Sequence, residues 1–136
     1  DAGTPGISDP GGKVVELASK LNFVILPIPG ASAVTSILSV SGFPTDKFLF
    51  LGFMPHKGKG KTFEQIKDSK CTVCFYESPH RIKKTLTELK LYINDRSIVV
   101  GRELTKKFET IHRGTCDKVL EEVKEKGEFV VVVSTK

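Results

Sequence analysis

The chain switches between two hydrophobic rhythms. Val14, Leu17, Ala18 and Leu21 recur at helical intervals and define one face of a short helix. Asp9-Pro10 ahead of them reads as its start, an acid at the N-cap and proline at the first helical position. Phe23 to Ile28 is almost unbroken apolar sequence, as in a strand covered on both faces within a parallel sheet. Small residues from Pro29 to Ala33 then turn the chain into a second helix, with Val34, Ile37 and Leu38 inward. Helix, strand, tight turn and helix in that order describe part of a doubly wound α/β domain.

Gly42 to Lys47 is rich in turn formers and predicts a boundary. Beyond it, strands are expected over 48–53, 72–77, 97–101, 108–113 and 129–133. A short helix is expected over 62–67. Ser78-Pro79 reads as a cap-and-proline pair opening a helix with Ile82, Leu86 and Leu89 on one face. A last helix over 117–126 turns Val119, Leu120 and Val123 inward, with Gly127 as its C-terminal stop. Lys57, Lys59 and Lys61, separated by glycines, read as a mobile basic loop that either follows a nucleic-acid backbone or is a solvated hairpin tip.

At 136 residues, with 39% hydrophobic and 27% charged positions, the composition is that of a globular protein rather than a collagen-like or disordered one. No apolar run approaches a membrane helix. Lys and Arg number 21 against 16 Asp and Glu, a formal charge of +5 that leans toward polyanionic partners. Three cysteines cannot all pair with one another, which points to a reducing compartment and a cytoplasmic location. Cys71 and Cys74 form a C-x-x-C without a second pair, and strand alternation aims them apart, so they read as reduced thiols. His56, His80 and His112 are scattered, so no metal is expected. Gly60-Lys61-Thr62 lacks the earlier glycine of a phosphate-binding loop, since Pro55 stands there.

Four stretches carry candidate chemistry. The residues from Asp1 to Pro10 place glycines before a helix, where a ligand can lie against bare backbone, or where the chain merely turns tightly. Pro27 to Ala33 repeats that arrangement at a strand end. Glu77, His80 and Arg81 cluster after one strand. Arg102, Glu103, Lys106 and Glu109 follow another. Such groups at strand ends serve either to bind phosphate and move a proton or as surface ion pairs.

Taken in order, Asp1-Ala-Gly-Thr-Pro5, Ile7-Ser-Asp-Pro-Gly11, Pro27 to Ala33, Gly52-Phe-Met-Pro55, Phe75-Tyr-Glu-Ser-Pro-His-Arg81, Arg102-Glu-Leu-Thr-Lys106, Glu109 and Gly127-Glu-Phe-Val-Val131 resemble the tetrapyrrole methylase superfamily, in its branch that methylates small-subunit ribosomal RNA. The resemblance implies an S-adenosylmethionine (SAM)-dependent transfer to a cytidine ribose 2′-hydroxyl by a two-domain, typically homodimeric enzyme. It implies a C-terminal α/β domain with a mixed sheet and flanking helices (46–136), after the tail of a parallel, SAM-binding α/β domain (1–45). Family members carry further strands and a glycine-rich loop before the first motif. With Asp at position 1 and Met54 as the only methionine, the chain is expected to be a fragment, inactive alone and without tight SAM binding. Asp1, Ala2, Gly3, Thr4, Pro5, Pro29, Gly30, Ala31, Ser32 and Ala33 match stretches that line the SAM pocket. The porphyrin enzymes carry Gly-Asp-Pro where this chain has Gly3-Thr4-Pro5.

For the transfer itself, Glu77, His80 and Glu103 are candidates for proton removal, by residue type and place. Arg81, Arg102 and Lys106, with Lys57, Lys59 and Lys61, are candidates for RNA phosphate. Two other readings stand beside this one: a methylase of a porphyrin-like ring, and a non-catalytic RNA-binding or dimerisation module.

Overall fold

The computed structural model describes residues 3–135. They form two compact units, Asp1–Ser32 and Ala33–Lys136.

The first unit carries α1 (Gly12–Lys20). The helix starts later than Asp9-Pro10 predicts, with Gly11 at the N-cap, because the Asp9 carboxylate instead accepts the Gly6 N–H at 3.4 Å and closes a turn. Its apolar face is open: Val14, Val15 and Leu17 are all at least half exposed. The strand expected over 23–28 is not formed. A strand needs a neighbour for its N–H and C=O groups, and among the described residues none pairs with this run. Its side chains stay in water, Val24 at 85% and Leu26 at 72%.

The second unit begins with α2 (Ala33–Ser39) and continues β1 (Phe48–Phe53), α3 (Lys59–Asp68), β2 (Thr72–Glu77), α4 (Ile82–Ile93), β3 (Ile98–Arg102), β4 (Thr110–Gly114), α5 (Cys116–Glu122) and β5 (Phe129–Val133). The turn-rich stretch 42–47 therefore lies inside this unit, between α2 and β1. The sheet is mixed, in the order β1-β2-β5-β3-β4. β1 runs parallel to β2, while β5 is antiparallel to both β2 and β3, and β4 antiparallel to β3.

Strand alternation sorts the core onto two faces. Val73, Phe75, Val100 and Val131 meet Phe63 and Ile66 of α3, Ile82, Leu86 and Leu89 of α4 and Val119 of α5. Cys74, Val99, Val130 and Val132 meet Val34, Ile37 and Leu38 of α2. Burying each of these aliphatic side chains contributes about 1.5–3 kcal/mol. Burial pushes the Cys74 thiol up to about 12 and the Cys116 thiol to about 11, so both are protonated packing groups at neutral pH. β5 is buried at all five positions, as its unbroken apolar run predicts, and lies at the centre of the sheet.

Three local expectations change. α3 starts at Lys59 rather than Thr62, so two of the three lysines sit on a helix and the basic loop shrinks to 55–58. α4 starts at Ile82, because Ser78-Pro79 forms a turn whose Ser78 carbonyl takes the N–H groups of Arg81 and Ile82. α5 ends at Glu122, and Gly127 serves instead the turn into β5, at φ +95°.

Candidate functional site

In the first unit, two loops far apart in sequence lie backbone to backbone. The Thr4 N–H donates to the Ala31 carbonyl at 2.9 Å. The Thr4 hydroxyl donates to the Gly30 carbonyl at 3.0 Å and accepts the Gly30 N–H at 3.2 Å. The approach demands glycine on both sides. A Cβ on Gly3, which sits at φ +90°, would stand 2.4 Å from the Ala31 oxygen, and one on Gly30 would stand 2.9 Å from the Gly3 carbonyl. The sequence candidates Gly3, Thr4, Gly30 and Ala31 are thus brought together. Pro5 and Pro29 adjoin them in the chain, and Ser32 closes this unit. Ala33 opens α2 in the second unit. Asp1 and Ala2 lie outside the described residues. The Thr4 and Gly30 N–H groups and the Gly30 and Ala31 carbonyls are spent within this contact, so a cofactor here would meet the remaining main-chain groups of the two exposed, side-chain-poor loops.

In the second unit, topology gathers the charged motifs. β1, β2 and β3 run in one direction, so their carboxyl ends share one sheet edge, the edge where open α/β sheets take ligands. The register puts Glu77, Phe129, Arg102 and Thr110 side by side across four strands.

At the end of β2, alternation aims Glu77 at α4, where it is 1% exposed. One carboxylate oxygen accepts the Ser78 N–H at 2.7 Å and Arg81 Nη2 at 2.6 Å; the other accepts the Thr85 hydroxyl at 2.6 Å. Lys59 Nζ donates to that hydroxyl at 2.9 Å and reaches Glu88 at 3.2 Å. Arg81 Nε holds Ser78 Oγ at 3.1 Å, while its buried Nη1 has no partner. Glu77, Arg81 and Lys59 are therefore tied into a network joining the end of β2 to α3 and α4. His80, between Glu77 and Arg81 in the chain, is exposed, as are Lys57 and Lys61. Sequence reasoning missed Thr85, whose signal was a hydroxyl on the apolar face set by Ile82, Leu86 and Leu89.

At the end of β3, residues 102–109 form a loop stitched to the turn before β5. Arg102 donates from Nε to the Lys126 carbonyl and from Nη1 to the Phe108 carbonyl at 3.2 Å. Glu103 accepts the Glu128 N–H at 2.8 Å, and Lys106 bridges Glu103 and Glu128 at 3.4 and 2.8 Å. Glu109 accepts the Thr105 N–H at 2.6 Å. Arg102 and Lys106 thus bind protein groups here. Glu128, paired with two of these residues, was missed by sequence reasoning; only its place beside Gly127 marked it.

The Glu128 N–H, and after it Lys106, hold the Glu103 carboxyl below its ordinary value of 4.5. Because the folded state favours the anion, this contribution to loop order is present above pH 4.5 and is lost as pH falls through the lower folded value. Acidification below pH 4.5 is expected to speed proteolytic cleavage within 103–109, and Glu103→Gln to remove that part of the pH dependence. An identical acid limb in wild type and variant would refute the assignment.

Comparison with known proteins places these features. The family Tetrapyrrole (Corrin/Porphyrin) Methylases matches residues 1–120. A ribosomal RNA small subunit methyltransferase I from Halalkalibacterium halodurans is 44% identical over 98% of this chain and 48% of its own length. The protein of the same name from Bacillus subtilis is 42% identical over 98% and 47%. The chain spans about half the length of the curated relatives it matches. Among solved structures, the methyltransferase CobJ aligns with TM-score 0.69 at 18% identity, over 99% of this chain and 62% of that one. Uroporphyrin-III C-methyltransferase from Thermus thermophilus, solved with S-adenosylhomocysteine, aligns with TM-score 0.62 at 16% identity, over 97% and 62%.

Proposed function

The chain belongs to the tetrapyrrole methylase family, and from that premise we propose that the protein it represents is an SAM-dependent methyltransferase of small-subunit rRNA, acting on a cytidine ribose 2′-hydroxyl. The observation that carries the cofactor half of this reading is the interlocked pair of loops around Gly3-Thr4 and Gly30-Ala31. Gly3 to Pro5 and Pro29 to Ala33, with Asp1 and Ala2 ahead of them, would hold SAM against backbone N–H and C=O groups. Bound there, SAM supplies an electrophilic methyl on a sulfonium. The chain's own residues then have to align the ribose hydroxyl and take its proton; alignment of that kind lowers a barrier by ~7–11 kcal/mol in favourable cases.

Of the three candidates for the proton, His80 is the one we favour. Both Glu77 oxygens and one Glu103 oxygen are spent on protein donors, whereas His80, three positions after Glu77, is exposed. Glu77 is better read as the positioning group for the 78–81 turn. Lys57 and Lys61 are exposed for phosphate, while Lys59, Arg81, Arg102 and Lys106 shape the surface that carries them. The rRNA substrate comes from the names of the relatives, and with it a cytoplasmic site of action. A homodimer completes the proposal, with residues 33–45 counted in the second compact unit rather than before a division near residue 45.

The test uses the protein at the length of its relatives, with labelled SAM and small-subunit rRNA. A 2′-O-methyl group protects the adjoining phosphodiester from alkali, so one protected position is expected. His80→Ala should slow its appearance roughly 10²–10⁴-fold. Label passing to a porphyrin-like ring and not to RNA would overturn the substrate, and an unchanged rate in His80→Ala would overturn the proton acceptor.

A further inference from the structure

The loop after β3 is strained and yet fixed. Glu103 and Thr105 both sit at positive φ, 51° and 65°, a region that side-chain-bearing residues rarely enter and β-branched ones least of all. Such conformations persist where the surroundings over-determine them, and they cluster where a loop has to present something. Here Arg102, Glu103, Lys106 and Glu109 supply the constraints. Leu104 anchors the loop by packing into the cluster beneath α2.

What the loop presents is Phe108. Phe108 is 64% exposed and belongs to neither core cluster among the described residues. Phe53, also exposed, packs its ring against Tyr76 at 5.2 Å, and Phe23, exposed to 68%, lies in the unpaired apolar run of the first unit. Phe108 instead has Lys107 Nζ at 5.7 Å from its ring centre. Its backbone is pinned by the Arg102 guanidinium on its carbonyl, so the ring projects from a fixed point. An exposed aromatic ring with a cation over it, on a backbone tied to Arg102, suits one kind of ligand, a flat π-system on a polyanionic backbone.

We propose that Phe108, with Lys107, is a stacking platform for an unpaired base of the RNA substrate. The proposal rests on the rRNA reading above and deepens it, because a paired base in a duplex hides its face and an unpaired one offers it. The loop's strain then has a use: it sets the ring before RNA arrives, so little ordering remains to be done on binding.

The experiment measures fluorescence anisotropy of a short labelled single-stranded RNA, and of the same sequence as a duplex, titrated with the protein at the length of its relatives. Phe108→Leu is expected to weaken single-strand binding roughly 5- to 150-fold and Phe108→Tyr to keep most of it. Duplex binding should not respond to either. Lys107→Ala should lower the salt slope for single strands by about 0.7. An exposed ring can be replaced without unfolding, and matching circular dichroism melts verify that. Wild-type RNA binding that Phe108→Leu leaves intact, or weakens equally for duplex and single strand, overturns the platform alone. A wild-type protein at that length that binds neither RNA at low salt overturns the platform and the RNA reading together.

Discussion

Glu77→Ala is expected to cost about 3–5 kcal/mol of folding stability, the loss typical when one member of a buried ion pair is removed. The carboxylate answers three donors at once: the Ser78 N–H, the Arg81 guanidinium and the Thr85 hydroxyl. Removing it leaves Arg81, already carrying one partnerless buried nitrogen, largely unpaired. It also leaves the Thr85 hydroxyl without its acceptor, and so loosens the group that, with Glu88, holds the Lys59 ammonium, whose side chain is 11% exposed. The effect therefore spreads from the end of β2 into the first turns of α3 and α4. Urea denaturation of wild type, Glu77→Ala, Thr85→Val and the double variant measures it. The double variant should fall short of the sum of the singles, because both report on one network. Glu77→Gln should recover part of the loss, since an amide oxygen can still accept from Ser78 and Arg81. A Glu77→Ala protein within about 1 kcal/mol of wild type but unable to methylate would reverse the reading and return Glu77 to the proton-transfer role.

That outcome also bears on what the sequence can disclose. Periodicity placed the second unit well, because its elements are buried on defined faces: Val73 and Phe75 against Cys74 and Tyr76, or Ile82, Leu86 and Leu89 in one stripe. It failed on Phe23 to Ile28, where the apolar run is real but pairing depends on partners that residue order alone does not supply. It also misjudged helix starts at Asp9-Pro10 and Ser78-Pro79. Cap and turn share the same residue types, and the difference is which backbone group the side chain meets. For the candidate site, glycine content drew attention to Gly3 and Gly30, and the structure packs their loops together, since close backbone approach leaves a compositional mark. Charge did not separate committed from available groups. Lys57 and Lys59 differ by two positions, yet one is exposed and the other reaches Thr85 and Glu88, a distinction made by helix phase and by α4.

Gly127→Ala is expected to show how far the strained loop depends on its neighbour. Gly127 sits at φ +95°, which L side chains rarely adopt, so backbone strain alone should cost about 1–3 kcal/mol. A Cβ there would also stand 2.6 Å from Glu103 Cγ and 2.8 Å from its carboxyl carbon and one oxygen. Relief requires Glu103 to leave the Glu128 N–H, and Lys106 then loses one of its two acceptors. Gly42→Ala is the control, because Gly42 also has positive φ, at +77°, but nothing lies within 4 Å of its would-be Cβ. Gly127→Ala should therefore be the less stable of the two in urea, and only it should open 103–109 to proteolysis. In the protein at its relatives' length, methylation should drop roughly 10²-fold, the scale of losing alignment by about 1 Å at a distance from the chemistry. Equal stabilities for the two variants, with the loop still protected, would mean that Glu103 moves aside without consequence and that its bond to Glu128 does not hold the loop.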